Sequence, residues 1–244
     1  MAKSSPSNLS LQQRYNNREV SWLAFNERVL AQAAREDLPL YERVRFLSIS
    51  ATNLDEFISV RMAGLKNQIR HDITIPSIDG LTPSEQLEIV QKLVARLMLA
   101  QQACWRKLLQ ALRAENIRIV TPKSLSAKRK AELHNYFEIE ILPLLTPIAV
   151  DPAHPFPMIA HRGICFACRA IRARDAHHLN VLIPLPEALP RFITLSKGVF
   201  LKLEAVISWH FSTLMQGCTI LEEGVFRIAR DSDFELEDEA DDFV

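Results

Sequence analysis

The side chains best suited to chemistry are four cysteines, seven histidines and a group of arginines around one asparagine. The cysteines are Cys104, Cys165, Cys168 and Cys218, and Cys165-x-x-Cys168 has the spacing of a metal or redox pair. That pair lies in ICFACRAI, which reads as a strand, where residues three apart point to opposite faces. No second CxxC follows, so core or surface thiols are expected. The histidines are His71, His134, His154, His161, His177, His178 and His210. None has a carboxylate or thiol at ligand spacing on one helix face, so no metal site is assigned. His177-His178 falls between two strand candidates and is expected in a loop. The chain has no GxxxxGK[ST] phosphate loop, GxGxxG, HExxH or GxSxG, and its six glycines leave little from which to build a phosphate cradle. No catalytic residue is assigned.

Asn53 is the centre of the remaining candidate. Asn53-Leu54-Asp55-Glu56 matches a capping box that would start a helix at Asn53. Arg43 and Arg45 precede it and Arg61 follows. A helix N-terminus with free backbone N–H groups is a natural anion site, so 43–61 is a candidate nucleotide-phosphate or polyanion edge. The alternative is a capped helix whose arginines are solvated or paired with Asp55 and Glu56. As a cap, Asn53→Ala would cost about 0.5–2 kcal/mol. Charge bears on the choice. The chain is formally neutral, but residues 231–242 (DSDFELEDEADD) carry eight acids and no base, leaving 21 acids against 29 bases elsewhere. The resulting surplus of +8 suits a nucleotide, nucleic acid or phosphate polymer, or equally a scattered, solvated surface charge.

These residues must be placed by elements of two kinds. Residues 1–15 are Ser-, Asn- and Gln-rich and expected to be disordered. Ser21 is expected to cap a helix with Trp22, Phe25, Val29, Leu30 and Ala33 on its inner face. A second helix starts at Pro39 and runs through Val44 and Leu47; a third, from Asn53, buries Leu54, Phe57, Ile58, Met62, Leu65 and Ile69. Thr82-Pro83-Ser84-Glu85 is a capping box opening a long helix through Leu87, Val90, Val94, Leu97, Cys104, Leu108 and Leu112, with Asn116 as its stop. Residues 16–115 are thus expected to form an up-and-down helical bundle. From 116 the pattern turns to α+β. A short strand at Ile117–Ile119 precedes a helix capped by Ser126. Pro143 and Pro147 break the pattern, and DPAHPFP (151–157) reads as a rigid extended loop. Strands follow in GICFACRAI, HLNVLIPL and RFITL, then a helix over Leu203–Met215 and a strand at 225–230. Phe234, Leu236, Ala240 and Phe243 suggest a helix that the chain does not complete.

Hydrophobic residues make up 48% and charged residues 24%, which excludes a disordered, collagen-like or disulfide-stapled chain. No run reaches the ~18 apolar residues of a membrane helix. MAKSSPSNLS has no apolar core of a signal peptide, so a cytoplasmic protein is expected.

NREVSWLAFNERVL, LYERVRFLSISATNLDEF, ATNLDEFISVRMAGLK, PFP at 155–157, LPRFITL at 189–195 and FRIARDSDFELEDEADD occur in that order. Together they closely resemble the N-terminal half of bacterial type 1 polyphosphate kinases, from Arg14 to Val244. The resemblance implies an enzyme that reversibly transfers the terminal phosphoryl group of ATP to long-chain polyphosphate through a phosphohistidine, with magnesium. It implies a helical N-terminal domain (16–115) and a middle α+β domain (116–244, incomplete), followed by two catalytic domains of phospholipase-D-like fold. The family's adenine-contacting asparagine falls on Asn53. The middle domain is implied in subunit association and in flanking the polyphosphate path, so a homo-oligomer is expected and nucleic acid is not. The family's phosphohistidine and its magnesium and phosphate ligands lie beyond this sequence. The chain is therefore expected to be a truncation or fragment, to bind ATP or ADP through Asn53, to hold no magnesium ligand and to lack kinase activity alone. Its location is expected to be cytoplasmic, or peripheral to the inner membrane within a polyphosphate kinase complex. The competing reading is a non-catalytic polyanion-binding or oligomerisation module.

Overall fold

The computed structural model describes residue 10, residues 14–150 and residues 156–231. They form two compact units, one running up to Ala111 and taking in Ala229–Asp231, the other spanning Leu112–Ile228. The expected disorder of 1–15 and the expected helix at 236–244 fall wholly or mostly outside the described residues, as do residues 151–155 of the proline-rich loop. Among the described residues no helix is long and apolar enough to cross a membrane.

The first unit is helical. Helix α1 (Arg18–Ala34) is capped by Asn17 and not by Ser21, which lies inside the helix. Asn17 Oδ1 accepts from the backbone N–H of Glu19 and Val20, satisfying two donors that the first turn cannot pair itself. The buried face of α1 is Glu19, Leu23, Asn26, Leu30 and Ala33. Phe25, expected inside, is 47% exposed. Two polar residues occupy helical-period positions on the inner stripe, and this is why a search for apolar spacing alone places the face one step off.

Helix α2 (Leu40–Glu56) runs without a break into a π-helical turn (Phe57–Met62) and then α3 (Ala63–Arg70). Asn53 therefore lies inside a helix and begins none, which overturns the expected third N-terminus and the cap role. The wide turn has a local cause. Ser59 is buried, and its Oγ donates to the carbonyls of Asp55 at 3.0 Å and Glu56 at 3.2 Å, an alternative to the regular backbone ladder.

Helix α4 (Pro83–Ala114) opens on the expected box: Thr82 N and Oγ1 both donate to Glu85 Oε2, and Glu85 N donates to Thr82 Oγ1. The core joins Leu23 and Leu30 of α1, Leu47, Leu54 and Phe57 of the α2 run, and Val90, Val94, Leu97 and Leu108 of α4. One buried polar thread crosses all three elements: Asn26 Nδ2 donates to Ser50 O, and Gln101 Nε2 donates to Ser50 Oγ.

Asn17 also closes the loop between α3 and α4. Its Nδ2 donates to Asp79 Oδ2 and Gln86 Oε1, both at 3.1 Å, and Ser77 Oγ donates to Asp79. Burial alone would raise the Asp79 carboxyl, but the hydrogen bonds from Ser77, Asn17 and nearby backbone N–H groups outweigh it and hold it below the ordinary value. Asn17→Ala removes the cap and this bridge together. It should cost about 2 kcal/mol, the upper part of the range for cap loss, read as a lowered urea midpoint.

The second unit is α+β. Strand β1 (Arg118–Val120) pairs parallel with β6 (Val199–Lys202), which pairs antiparallel with β5 (Phe192–Ser196). A four-stranded antiparallel sheet has the order β2 (Ile148–Val150), β4 (His177–Pro184), β3 (Ile164–Arg172), β7 (Cys218–Arg227). Helix α5 (Ala127–Tyr136), capped by Ser126, leads through a π-helical turn (Phe137–Ile141) to Pro143, which has no N–H to continue a ladder.

Alternation along β3 puts Phe166, Cys168 and Ala170 into the main core and Cys165 and Ala167 against Ile159 and Leu182 on the other face. The two CxxC thiols therefore serve different cores, and burial pushes both above the ordinary value. His177 and His178 are exposed and open strand β4, so the expected loop pair is corrected.

Strand β7 begins seven residues earlier than expected. Ile220 pairs with Ala170 and Glu222 with Arg169, leaving Leu221 as the extra residue of a bulge. The bulge lets Ile220 join the main core while Phe226, an even number of residues on, joins the opposite face. Period-2 reading from sequence cannot follow such a switch.

The expected helix over Leu203–Met215 is two, α6 (Leu203–Trp209) and α7 (Phe211–Leu214), broken at His210. The His210 ring is buried, stacked on Phe137 at 4.0 Å and on His134 at 5.3 Å. Its Nδ1 lies 2.8 Å from Val206 O, so Nδ1 carries the proton, and Nε2 is buried without a partner. Burial pushes this imidazole below its ordinary 6.5; the Val206 carbonyl opposes, His134 reinforces and Glu138 opposes. The folded ring resists a proton that the unfolded chain accepts. The stability it contributes is complete above about pH 6.5 and falls as pH drops below that value. Thermal midpoints between pH 5 and 8 should show this slope, and His210→Gln should flatten it.

Candidate functional site

The candidate site is built on the paired faces of α1 and the α2–π–α3 run. Trp22 of α1 stacks on Phe57 of the π-turn, with ring centroids 4.9 Å apart and planes 25° apart. One turn earlier on α1, Glu19 is only 4% exposed. A buried carboxylate needs charged partners. Arg18 supplies Nε at 2.9 Å and Nη2 at 2.8 Å to Oε1, and Arg61 supplies Nη1 at 3.3 Å to Oε2. The Arg61 guanidinium also lies over the Trp22 ring, 5.9 Å from its centroid. These groups line a cleft of about 340 Å³ that also takes in Glu56, Val60, Gly64 and Gln68.

Asn53 stands four residues before Phe57, one helical turn away on the same side of the helix, and is not among the residues that line the cleft. It is half-buried, and its side chain has no hydrogen-bond partner among the described residues. Its carbonyl accepts from Phe57 N–H within the helix.

The expected arginine edge is only partly assembled. Arg61 reaches the cleft. Arg43 Nε donates to Ala33 O at 3.1 Å, and Arg45 pairs with Glu42 at 3.7 Å, so neither of these two is directed at Asn53. With no helix start at Asn53, its backbone N–H groups are not free and the anion-edge argument loses its basis there. Arg18 and Glu19 were not singled out from sequence, and Trp22 was read only as part of the inner face of α1. Their signal is a charged residue at an inward position of α1, at the four-three spacing that links Glu19, Leu23, Asn26, Leu30 and Ala33.

Among the described residues no group of three or more His, Cys, Asp or Glu is placed to hold a metal ion.

The comparisons decide the family. The polyphosphate kinase N-terminal domain model matches residues 15–120, and the polyphosphate kinase middle domain model matches residues 128–244. The chain belongs to the polyphosphate kinase family. It is 42% identical over 236 residues to a polyphosphate kinase of Erythrobacter litoralis, covering 95% of this chain and 32% of that protein. It is 41% identical over 229 residues to a polyphosphate kinase of Streptomyces coelicolor, covering 93% of this chain and 31% of that one. In structure it is similar to the crystal structure of polyphosphate kinase from Porphyromonas gingivalis, with a TM-score of 0.77 at 28% identity, covering 91% of this chain and 34% of that one. The chain thus spans about a third of the length of the polyphosphate kinases it matches.

Proposed function

We propose that this chain is the nucleotide-positioning and assembly part of a polyphosphate kinase that reversibly transfers the terminal phosphate of ATP to long-chain polyphosphate. In this reading Asn53 contacts the adenine of ATP or ADP. Magnesium and the phosphohistidine act on domains outside this chain, and the α+β unit contributes to a homo-oligomer. The protein works in the cytoplasm or at the inner-membrane periphery. The observation that supports it best is Asn53 itself: a half-buried amide, unused by the fold, one helical turn before the Phe57 of the cleft, in the segment that resembles the family's adenine contact. A carboxamide offers a donor and an acceptor side by side, which matches the edge of a purine.

The helix interior makes the test sharper than a cap would. Alanine is a better helix former than asparagine by several tenths of a kcal/mol. Asn53→Ala should therefore keep or slightly raise the unfolding midpoint, while ATP binding measured by calorimetry weakens about tenfold, roughly 1.4 kcal/mol. Equal affinity in parent and variant would refute the adenine contact. The purified chain should also show no ATP consumption coupled to polyphosphate formation above background; turnover would overturn its non-catalytic role.

A further inference from the structure

Glu19 is an unusual investment for a structural helix. Its carboxylate is buried, both oxygens are engaged by guanidinium groups, and those groups come from different places: Arg18 next to it on α1 and Arg61 on the π-turn. The side chains of Arg18 and Arg61 are 82% and 32% exposed, while that of Glu19 is 6% exposed. The carboxylate thus sits beneath the two guanidinium groups and fixes them at the rim of the cleft. Each guanidinium has five N–H donors, of which Arg18 uses Nε and Nη2 on Glu19, and Arg61 uses Nη1. Both residues line the cleft, and their remaining donors make no other hydrogen bond among the described residues. Arg18, Arg61 and Glu19 together leave one net positive charge at the rim, and the exposed Glu56, one turn up the helix from Arg61, balances it, so the site offers directed donors and no net charge. The floor is open at Gly64, where a Cβ would meet nothing within 4 Å. A pair of clamped, forked donors at the edge of an open cleft matches the oxygens of a phosphate group.

We propose that Arg18 and Arg61, locked by the buried Glu19, form a phosphate-oxygen subsite at the mouth of this cleft. The inference rests on the reading of this helical face as the nucleotide side. Arg61 lies eight residues from Asn53, about 12 Å along the helix at 1.5 Å per residue, within the span of a nucleoside triphosphate. The phosphate is either that of the nucleotide held at Asn53 or one of a polyphosphate chain, and the recognising chemistry is the same.

The test is calorimetric titration of the full 244-residue chain with tripolyphosphate, ATP and adenosine, in the parent and in Arg18→Gln, Arg61→Gln and Asn53→Ala. Arg18 is the decisive position because its side chain is 82% exposed; since Arg18→Gln also withdraws a partner from the buried Glu19, Arg18→Lys, which keeps the charge and loses the fork, is titrated beside it with both unfolding midpoints recorded. Tripolyphosphate should bind the parent and bind Arg18→Gln and Arg61→Gln at least tenfold more weakly, with adenosine unchanged. If ATP weakens in step, the subsite takes the nucleotide's phosphates; if ATP is unaffected, it takes the polymer. The proposal is overturned if the parent does not bind tripolyphosphate, or if Arg18→Gln binds it as the parent does, which would leave the arginines as fold-holding ion pairs only. Failure of the adenine contact would read differently, as Asn53→Ala binding adenosine and ATP like the parent while the tripolyphosphate result stands.

Discussion

Phe57→Ala is expected to destabilise the helical unit by about 3–5 kcal/mol, the range for deleting a fully buried phenyl ring. Phe57 is 1% exposed and sits where the run from α2 turns into its π-helical segment. Its ring stacks on Trp22 and belongs to the core shared by α1, α2 and α4. Removal would leave a cavity between α1 and the π-turn and withdraw the surface against which Trp22, and through it Arg61, is held. The loss should appear in urea unfolding as a lower midpoint with little change in slope. Because Phe57 is one turn from Asn53, nucleotide binding should fall too, but only together with stability. That coupling separates it from Asn53→Ala, where binding alone should fall.

Gly198→Ala should cost about 3 kcal/mol, in the other unit. Gly198 has φ +76°, a region that an alanine occupies at a cost of roughly 1–2 kcal/mol. A Cβ there would stand 2.5 Å from the carbonyl oxygen of Asn116, a backbone atom that cannot swing aside. Relieving such overlap adds roughly 1–3 kcal/mol. The same backbone also carries the bond from Arg118 N to Gly198 O at 2.7 Å, which starts the parallel pairing of β1 with β6. Hydrogen exchange should therefore show the amides of Arg118–Val120 losing protection first, before those of β3 and β4.

The contrast between well-read and misread elements has a physical basis. Thr82-x-x-Glu85 and Asn53-x-x-Glu56 look alike as strings. The first is preceded by a loop with Pro76 and Gly80, and its box forms; nothing between Leu40 and Gly64 breaks a helix, and there the pattern is incidental. The missing breaker was the signal. Strand β3 was legible because alternation held through ICFACRAI, whereas the Leu221 bulge reversed the faces of β7 partway along. The helix over Leu203–Met215 has correct apolar spacing on both sides of His210, and only the buried ring stacked between elements distant in sequence explains the break.

Asn53 is a candidate through the resemblance of its segment, and its capping-box pattern does not form. Glu19 was not legible in the sequence, because a carboxylate becomes informative only once its burial and its two arginine partners are known. The arginines near Asn53 in sequence divide the same way: Arg61 reaches the cleft across a helix pair, while Arg43 and Arg45 are used locally.

The central claim is that this polypeptide holds the purine end of ATP at Asn53 and leaves phosphoryl transfer to groups outside it. Photolabelling of the purified chain with 8-azido-ATP, followed by mass-spectrometric mapping, tests it most directly. The account predicts one dominant label within the peptide that carries Thr52–Phe57 or in the facing turn around Trp22, suppressed by excess ATP. Label confined to the α+β unit, or insensitive to competing ATP, would contradict it.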